Sequence, residues 1–594
     1  MDGTPRRRLR RRSLLGVGVV AVALATAVGA TPAGAAPAQV SPRVTQAAAF
    51  DVSRPLRDLA AEVAGQHKQV TQFATRGRPP SIFDTSFSGD GAVQDGPAPS
   101  PATIGSTQSN FEGLSNQNNF DIFGFRVNPP DTVGDVGPNH YVEMVNLTFA
   151  VYSKMGTRIL GPVDTGTLWA DFPIEDCTDP SGDPVVLYDQ TSDRWVLTQF
   201  TTRGLDPLTP TAPFYNCVAV SQTSDPTGAY YRYAFITQPD LEDGGYFFPD
   251  YPKYGVWRDT YIMTTRDFGF DDRYGISVYG LEKNKMVNGE PNARAVQFFL
   301  EDRVVPLNLI GDGLLPPDLD GSTKPKNDVP APIVGTQDNG GGYGATFDAL
   351  NIWEFDVKWR STPIASINLK TQLPVASFDS IFPCGVVPGS PPPNAPNARD
   401  CLPQPGVTDG SRYLDILSYR QRPTWRLAYR NKGAYESMVT NQSVEALPGV
   451  AGVRWYELRR TGGTYSLHQQ GTYAPTDGVH RWMGSAAADK NGSIALGYSV
   501  VNGTNVFPGI RYTGRLAGDP LGQMTLGEGT VINGTAAQTA LNSRWGDYTS
   551  LNLDPVDDCT FWYVNEYYTV AGAASAPNGN GWQTRIASFK LPGC

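Results

Sequence analysis

One pattern recurs along most of this chain, and its clearest copy is SRWGDYTSLNLDPVDDCTFWYVNEYY, Ser543 to Tyr568. An arginine–aromatic pair leads into an alternating strand, Tyr548 to Leu553. A polar turn follows, Asp554 to Asp558, and then an aromatic-rich strand, Thr560 to Tyr568. Alternation with a period of two, broken by turn-forming residues, marks a half-buried antiparallel hairpin. Earlier copies place strands at His140 to Val145 and Phe149 to Ser153, at Pro184 to Tyr188 and Trp195 to Phe200, and around the tight turn at Arg258-Asp259. Later copies include LNIWEFDV, RYLDILSYRQRPTWRLAYR and RWMGSAAADKNGSIALGYSV. About seven units of roughly 45 to 70 residues follow one another, a period typical of radial β repeats. The expectation is an all-β fold, a single β-propeller of about seven blades over 111–594. Two tandem β-sandwiches would explain the strands but not the repeated order. The last unit shows three strands, so its fourth is expected from the N-terminal side, near Asn119 to Phe125.

What precedes the repeats reads as export and spacer. RRRLRRRSLLGVGVVAVALATAVGA joins a basic start to an apolar run, and Ala33-Gly34-Ala35 fits a cleavage site. Arg11-Arg12-Ser13-Leu14-Leu15 also resembles a twin-arginine signal, and the Sec route is an equal alternative. Residues 1–35 are therefore assigned as a signal peptide, and 36–110 as a disordered low-complexity linker or pro-segment with one short helix around Leu56 to Gln66. No later run is long and apolar enough to span a bilayer, so the mature protein is expected to be secreted and monomeric. A formal charge of -10 argues against nucleic acid or an anionic membrane as partner. The six cysteines of an exported chain suggest disulfides, and local pairing gives Cys177–Cys217, Cys384–Cys401 and Cys559–Cys594.

The phrases PPDTVGDVGPNHYVEMVN, DPVVLYDQTSDRW, DYPKYGVW, LLPPDLDGS, FPGIRYTGR and RWGDYTSLNLDPVDDCTFWYVNEYY together resemble a group of largely uncharacterised secreted bacterial propeller proteins. The resemblance implies an extracellular propeller loosely similar to sialidase or BNR-repeat proteins, with no assigned reaction. The S-x-D-x-G-x-x-W turn of those repeats is not intact here; its nearest echoes are Asp489-Lys490-Asn491-Gly492 and Asp554 to Thr560.

Candidate site residues come from the unit starts, because the loops leading into inner propeller strands surround the central channel. The first four units open with acids: Asp131 and Asp135, Asp183, Asp250 and Asp338. The last three open with Arg412-Tyr413, Arg481-Trp482 and Arg544-Trp545, and Asp547-Tyr548 follow the third pair. Guanidiniums fork onto carboxylate, sulfate or phosphate, aromatic faces stack on sugars, and opposed carboxylates can cleave glycosides. Asp547 and Tyr548 are the catalytic candidates, Tyr548 as a sialidase-like nucleophile. The same residues also admit a purely structural reading, with aspartates capping turns and arginines pairing across units to lock the fold. The function expected is binding of extracellular carbohydrate, a cell-surface polymer or an acidic ligand at the channel mouth. A glycoside hydrolase or polysaccharide lyase and a protein-interaction scaffold are the alternatives. No cofactor is indicated with certainty; Asp318 and Asp320, with Asp554, Asp557 and Asp558, offer clustered oxygens for a structural calcium. Only four histidines are present, and none has zinc-ligand spacing.

Overall fold

The computed structural model describes residues 40–70, 87–94, 96, 103–206, 208, 213–239, 241, 243–381, 400–416, 421–541 and 543–594. The segment expected to be an export signal, residues 1–35, and Cys384 lie outside them. Among the described residues no helix is long and apolar enough to cross a membrane.

Each repeat unit folds into its own antiparallel sheet, whose strands follow one another outward in chain order. We letter them A (133–164), B (185–236), C (247–301), D (331–374), E (424–473), F (480–534) and G (550–589). The leading strands Val133–Val136, Val185–Asp189 and Ser550–Leu553 are buried on both faces, so the alternation read over Tyr548 to Leu553 does not mark a face open to solvent. These leading strands lie side by side. Val133–Val136 touches Val185–Asp189, which touches Phe247–Val256, which touches Pro317–Leu319. That short strand runs parallel to Thr424–Asn431, which is followed by His480–Ala488 and Ser550–Leu553. Sheet D joins through the bridge between Leu315 and Val334. Ser550–Leu553 then returns to Val133–Val136: the Ser550 hydroxyl donates to the Gly134 carbonyl and accepts its N–H, both at 2.8 Å.

Where the sequence reads as spacer, the structure places edge strands. Arg43–Gln46 pairs on the outer edge of sheet C, Ala49–Val52 on sheet B and Val93–Gln94 on sheet E. The helix Leu56–Val63 follows, starting as expected at Leu56. Asp90 forms an ion pair at 2.7 Å with the buried Arg454, so the segment is anchored by charge as well as by backbone. Such short polar strands carry little hydrophobic pattern; pairing with an existing edge supplies what their own side chains lack. The fourth strand of sheet G does come from the N-terminal side, but it is Ser109–Ser115, while Asn116–Phe123 is a helix. Gly124, left-handed with φ 74°, ends that helix by donating to the Phe120 carbonyl.

Two expected disulfides are formed, Cys177–Cys217 and Cys559–Cys594. The second ties the last residue of the chain to the turn of sheet G.

Candidate functional site

The loops entering the leading strands of sheets A, B, C and G meet at one place. Asp131 and Asp183 each stand two residues before a leading strand, and both adopt left-handed backbone, φ 47° and 42°. Aspartate tolerates this region better than most residues, so its recurrence at matching positions is a structural signature of the unit start. Asn146 bridges the two: its Nδ2 donates to Asp131 at 2.6 Å and its Oδ1 accepts the Asp183 N–H at 2.9 Å. Asp131 also accepts the backbone N–H of Asp547 at 2.6 Å.

Sheet C contributes through a bulge between Asp250 and Lys253, in which Tyr251 takes φ 55°. A bulge re-aims the side chains that follow it. Here it sends Lys253 inward, where Nζ lies 2.9 Å from the ring centre of Tyr251 and 3.4 Å from that of Tyr548. The two tyrosine rings are 5.1 Å apart. The Tyr548 hydroxyl donates to Asp183 at 3.2 Å and to the Pro252 carbonyl at 3.0 Å, while that of Tyr251 donates to the Asp547 carbonyl at 3.3 Å. Arg544 pairs with Asp547 at 2.6 Å and with Asp415 at 3.3 Å. Asp183, Asp250, Asp547 and Arg544 remain partly exposed; Asp131, Tyr251, Lys253 and Tyr548 are buried.

Burial and mutual repulsion dominate the electrostatics. Burial, then the neighbouring Asp547, pushes Asp131 up to about 7 despite Arg544. Burial and the carboxylates of Asp250, Asp131 and Asp547 raise Asp183 well above its ordinary value. Asp250 is raised by burial against the pull of Arg266. Desolvation drives Lys253 well below the usual lysine range, although three carboxylates oppose the shift. Glu566, which accepts the Gly546 N–H at 2.7 Å, is raised strongly by burial. Burial thus favours the protonated carboxyls and the neutral amine over the same groups in water.

Other expected site residues sit elsewhere. Asp135 accepts the Tyr188 N–H at 2.7 Å and is raised to about 8 by burial and by Asp318. Asp318 and Asp320 both grip Arg426, at 2.8 and 2.5 Å, so these two carboxylates face a guanidinium. Among the described residues no three His, Cys, Asp or Glu side chains converge as metal ligands. Asp338 accepts the N–H of Ser380 at 2.7 Å and that of Gly340 at 2.6 Å, bracing a loop. Arg481 is buried between Asp477 and Glu528, each at 2.8 Å. Trp482 and Trp545 are fully buried with ring centres 5.2 Å apart, so neither presents a face to a sugar. Arg412 pairs with Asp409 at 3.4 Å and donates to the Thr539 carbonyl at 2.7 Å, and Tyr413 is buried. The arginine–aromatic pairs thus do not form one arc. Lys253, Tyr251 and Asn146 were missed. DYPKYG contains two of them, but the bulge that turns Lys253 inward has no local sequence mark.

No protein-family model matches the sequence, and no curated protein does. Among solved structures the chain is similar to an exo-β-1,3-galactanase from Clostridium thermocellum, at 9% identity over 83% of this chain and 97% of that one, with a TM-score of 0.29. It is similar to an α-L-arabinanase from Penicillium chrysogenum at 11% identity over 69% and 96%, TM-score 0.26. A Hadza microbial sialidase follows at 10% identity over 76% and 73%, TM-score 0.22. Scores of this size decide nothing about the chemistry of this chain.

Proposed function

We propose that the chain is a secreted seven-bladed β-propeller that binds carbohydrate where the entries to its first, second, third and last blades meet. The leading strands of sheets A, B, C, E, F and G, linked between C and E by Pro317–Leu319, together with the bridge to sheet D and the contact of Ser550 with Gly134, support the ring. The formed disulfides support an oxidising destination. The observation that carries the functional reading is the convergence of Asp131, Asp183, Asp250 and Asp547, with Tyr548 and Arg544, from four distant parts of the sequence. Sugar hydroxyls donate to carboxylates and accept from guanidinium N–H groups, and the partly exposed Asp183, Asp250, Asp547 and Arg544 supply both. Holding several carboxylates against their own repulsion costs stability, a cost that functional sites commonly carry. Binding to a glycan array, repeated with Asp547→Asn and Arg544→Ala, tests the assignment. Binding lost in both variants supports this site, and binding unchanged in both refutes it.

Hydrolysis is the second reading, favoured by Asp131 alone. A carboxyl raised to about 7 is protonated in part at neutral pH, as a general acid must be. Release of reducing ends from bound polymer, abolished by Asp131→Asn with binding retained, would establish it; no release from any bound glycan would dismiss it.

A further inference from the structure

Beside the four acids lies a second group of opposite sign, joined to the first through Tyr251. Arg422 is buried, 1% exposed, with its guanidinium carbon 4.1 Å from the Tyr251 ring centre. Among the described residues its Nε and Nη1 find no hydrogen-bond partner. Its facing carboxylate is Asp312, 3.8 Å away, and the other oxygen of Asp312 is already engaged by Arg266. The Nε of Arg266 is likewise unbonded. Gln421, fully buried with left-handed backbone at φ 46°, leaves both atoms of its carboxamide without partners. The two guanidiniums share one directly paired carboxylate, and Asp250 and Asp547 are the next carboxylates to face them. Three guanidinium N–H positions and an amide are left for an oxygen ligand, and buried donors are otherwise satisfied as a rule.

We propose that Arg422, Arg266 and Gln421 form the subsite for the carboxylate of a uronic acid unit, whose hydroxyls are held by Asp183, Asp250 and Asp547. The inference rests on the carbohydrate reading above and gives it a substrate class. A single planar anion matches the forked geometry of a guanidinium. A dianionic phosphate would bring twice the charge toward the neighbouring aspartates. Arg266 keeps a side-chain exposure of 12% and pairs across the strands with Asp250, which places this group next to the four acids.

Calorimetric titration of the full chain with galacturonate, glucuronate and mannuronate oligomers, and with their carboxyl-reduced neutral counterparts, tests this. The acidic oligomers are expected to bind at least about tenfold more tightly, the scale of one charge-assisted contact. Arg422→Gln should erase that preference while neutral-sugar affinity persists, and Arg422→Lys should restore part of it. Should Arg422→Gln fail to fold, Arg266→Gln supplies the same comparison. The free uronic acids, titrated separately, distinguish a monomer from a polymer as the source of the carboxylate. Equal affinity of the native protein for acidic and neutral oligomers, or a preference that survives both arginine variants, overturns the subsite and leaves carbohydrate binding standing. Failure to bind any of the sugars, acidic or neutral, overturns the carbohydrate reading itself.

Discussion

Asp547 donates its backbone N–H to the Asp131 carboxylate at 2.6 Å, although the two residues stand 416 positions apart. The bond joins the entry of the last sheet to the entry of the first. It also places the two carboxyl groups near enough that Asp547 helps raise Asp131 toward neutrality. The contact of sheet G with sheet A and the assembly of the candidate site are therefore one event: a chain that fails to bring the two together has no site.

Arg544 and Arg481 occupy equivalent positions in sequence but should respond differently to mutation. Arg544→Ala removes a partly exposed partner of Asp547, and Asp547→Asn removes the pair from the other side. Each is expected to weaken glycan binding at least about tenfold with a small change in stability. Arg481→Ala takes one of two arginines from Glu528, which keeps Arg511 at 2.8 Å, and removes the ion-pair partner of Asp477; it should cost about 2 kcal/mol of stability, with sugar affinity unchanged. Denaturation midpoints and calorimetric affinities measured on the same samples separate the two classes. Equal losses of affinity in Arg481→Ala and Arg544→Ala would contradict the assignment.

Stability should fall as pH rises from about 4 to about 7, and Asp267 should account for a measurable share. Asp267 is fully buried, accepts the hydroxyls of Thr265 and Ser277, and is raised by burial from 3.8 to about 7. Below 3.8 both folded and unfolded states hold the proton, so the group has no effect. Between the two values only the folded state keeps it, and ionisation of the unfolded chain drains stability. Above about 7 the penalty is constant, on the order of 4 kcal/mol at most. Asp267→Asn should therefore show a shallower decline of melting temperature between pH 4.5 and 7.5 (roughly the window set by these values) than the native protein. A parallel decline in both would show that Asp267 titrates normally.

How legible this chain is depends on where the deciding physics is local. Strands such as His140–Val145 and Arg194–Phe200 lie within a residue of their expected limits, because alternation and turn chemistry act over a few residues. Comparing unit starts names Asp131, Asp183 and Asp250, which lie together, and equally Asp135 and Asp338, which do not join them. The arginines show the limit: Arg481 and Arg544 carry the same local signature, yet Glu528 claims the first and Asp547 the second, a difference settled by tertiary packing. Lys253 was hidden by a bulge, and Arg43–Gln46 by its lack of apolar residues beyond Val44. Arg422 stands inside RQRPTW with nothing local to set it apart from Arg420 or Arg426.

The disulfide between Cys559 and Cys594 should be a strong stabiliser because it closes a separation of 35 residues and fixes the C-terminus. Chain-entropy reasoning gives about 2–4 kcal/mol for a loop of this size. Cys594→Ser is expected to lower the denaturation midpoint accordingly, and reduction of the native protein should do at least as much, since it also opens Cys177–Cys217. A Cys594→Ser protein as stable as the native one would mean that pairing of Gln583–Phe589 with Phe561–Tyr567 holds the terminus unaided.

Gly113 offers the most local test of how the N-terminal strand closes sheet G. It lies in Ser109–Ser115, and a methyl group added there would stand 2.4 Å from the Thr584 hydroxyl and 2.5 and 2.7 Å from the Glu143 carboxylate oxygens. Glu143 is fully buried, raised to about 7 by burial, and accepts the Leu114 N–H at 2.8 Å and the Thr584 hydroxyl at 2.5 Å. Three segments meet at that carboxyl: the N-terminal strand, sheet A and the last strand of the chain. Alanine at 113 must displace it, combining overpacking with lost hydrogen bonds to a buried group, at about 2–4 kcal/mol. Gly105→Ala is the control, since its nearest neighbour would be the Lys590 carbonyl at 3.8 Å, an ordinary contact. Thermal melts should separate the two variants by many degrees. If Gly113→Ala melts with Gly105→Ala, the strand Ser109–Ser115 is not seated against Glu143, and the last sheet is completed by some other segment.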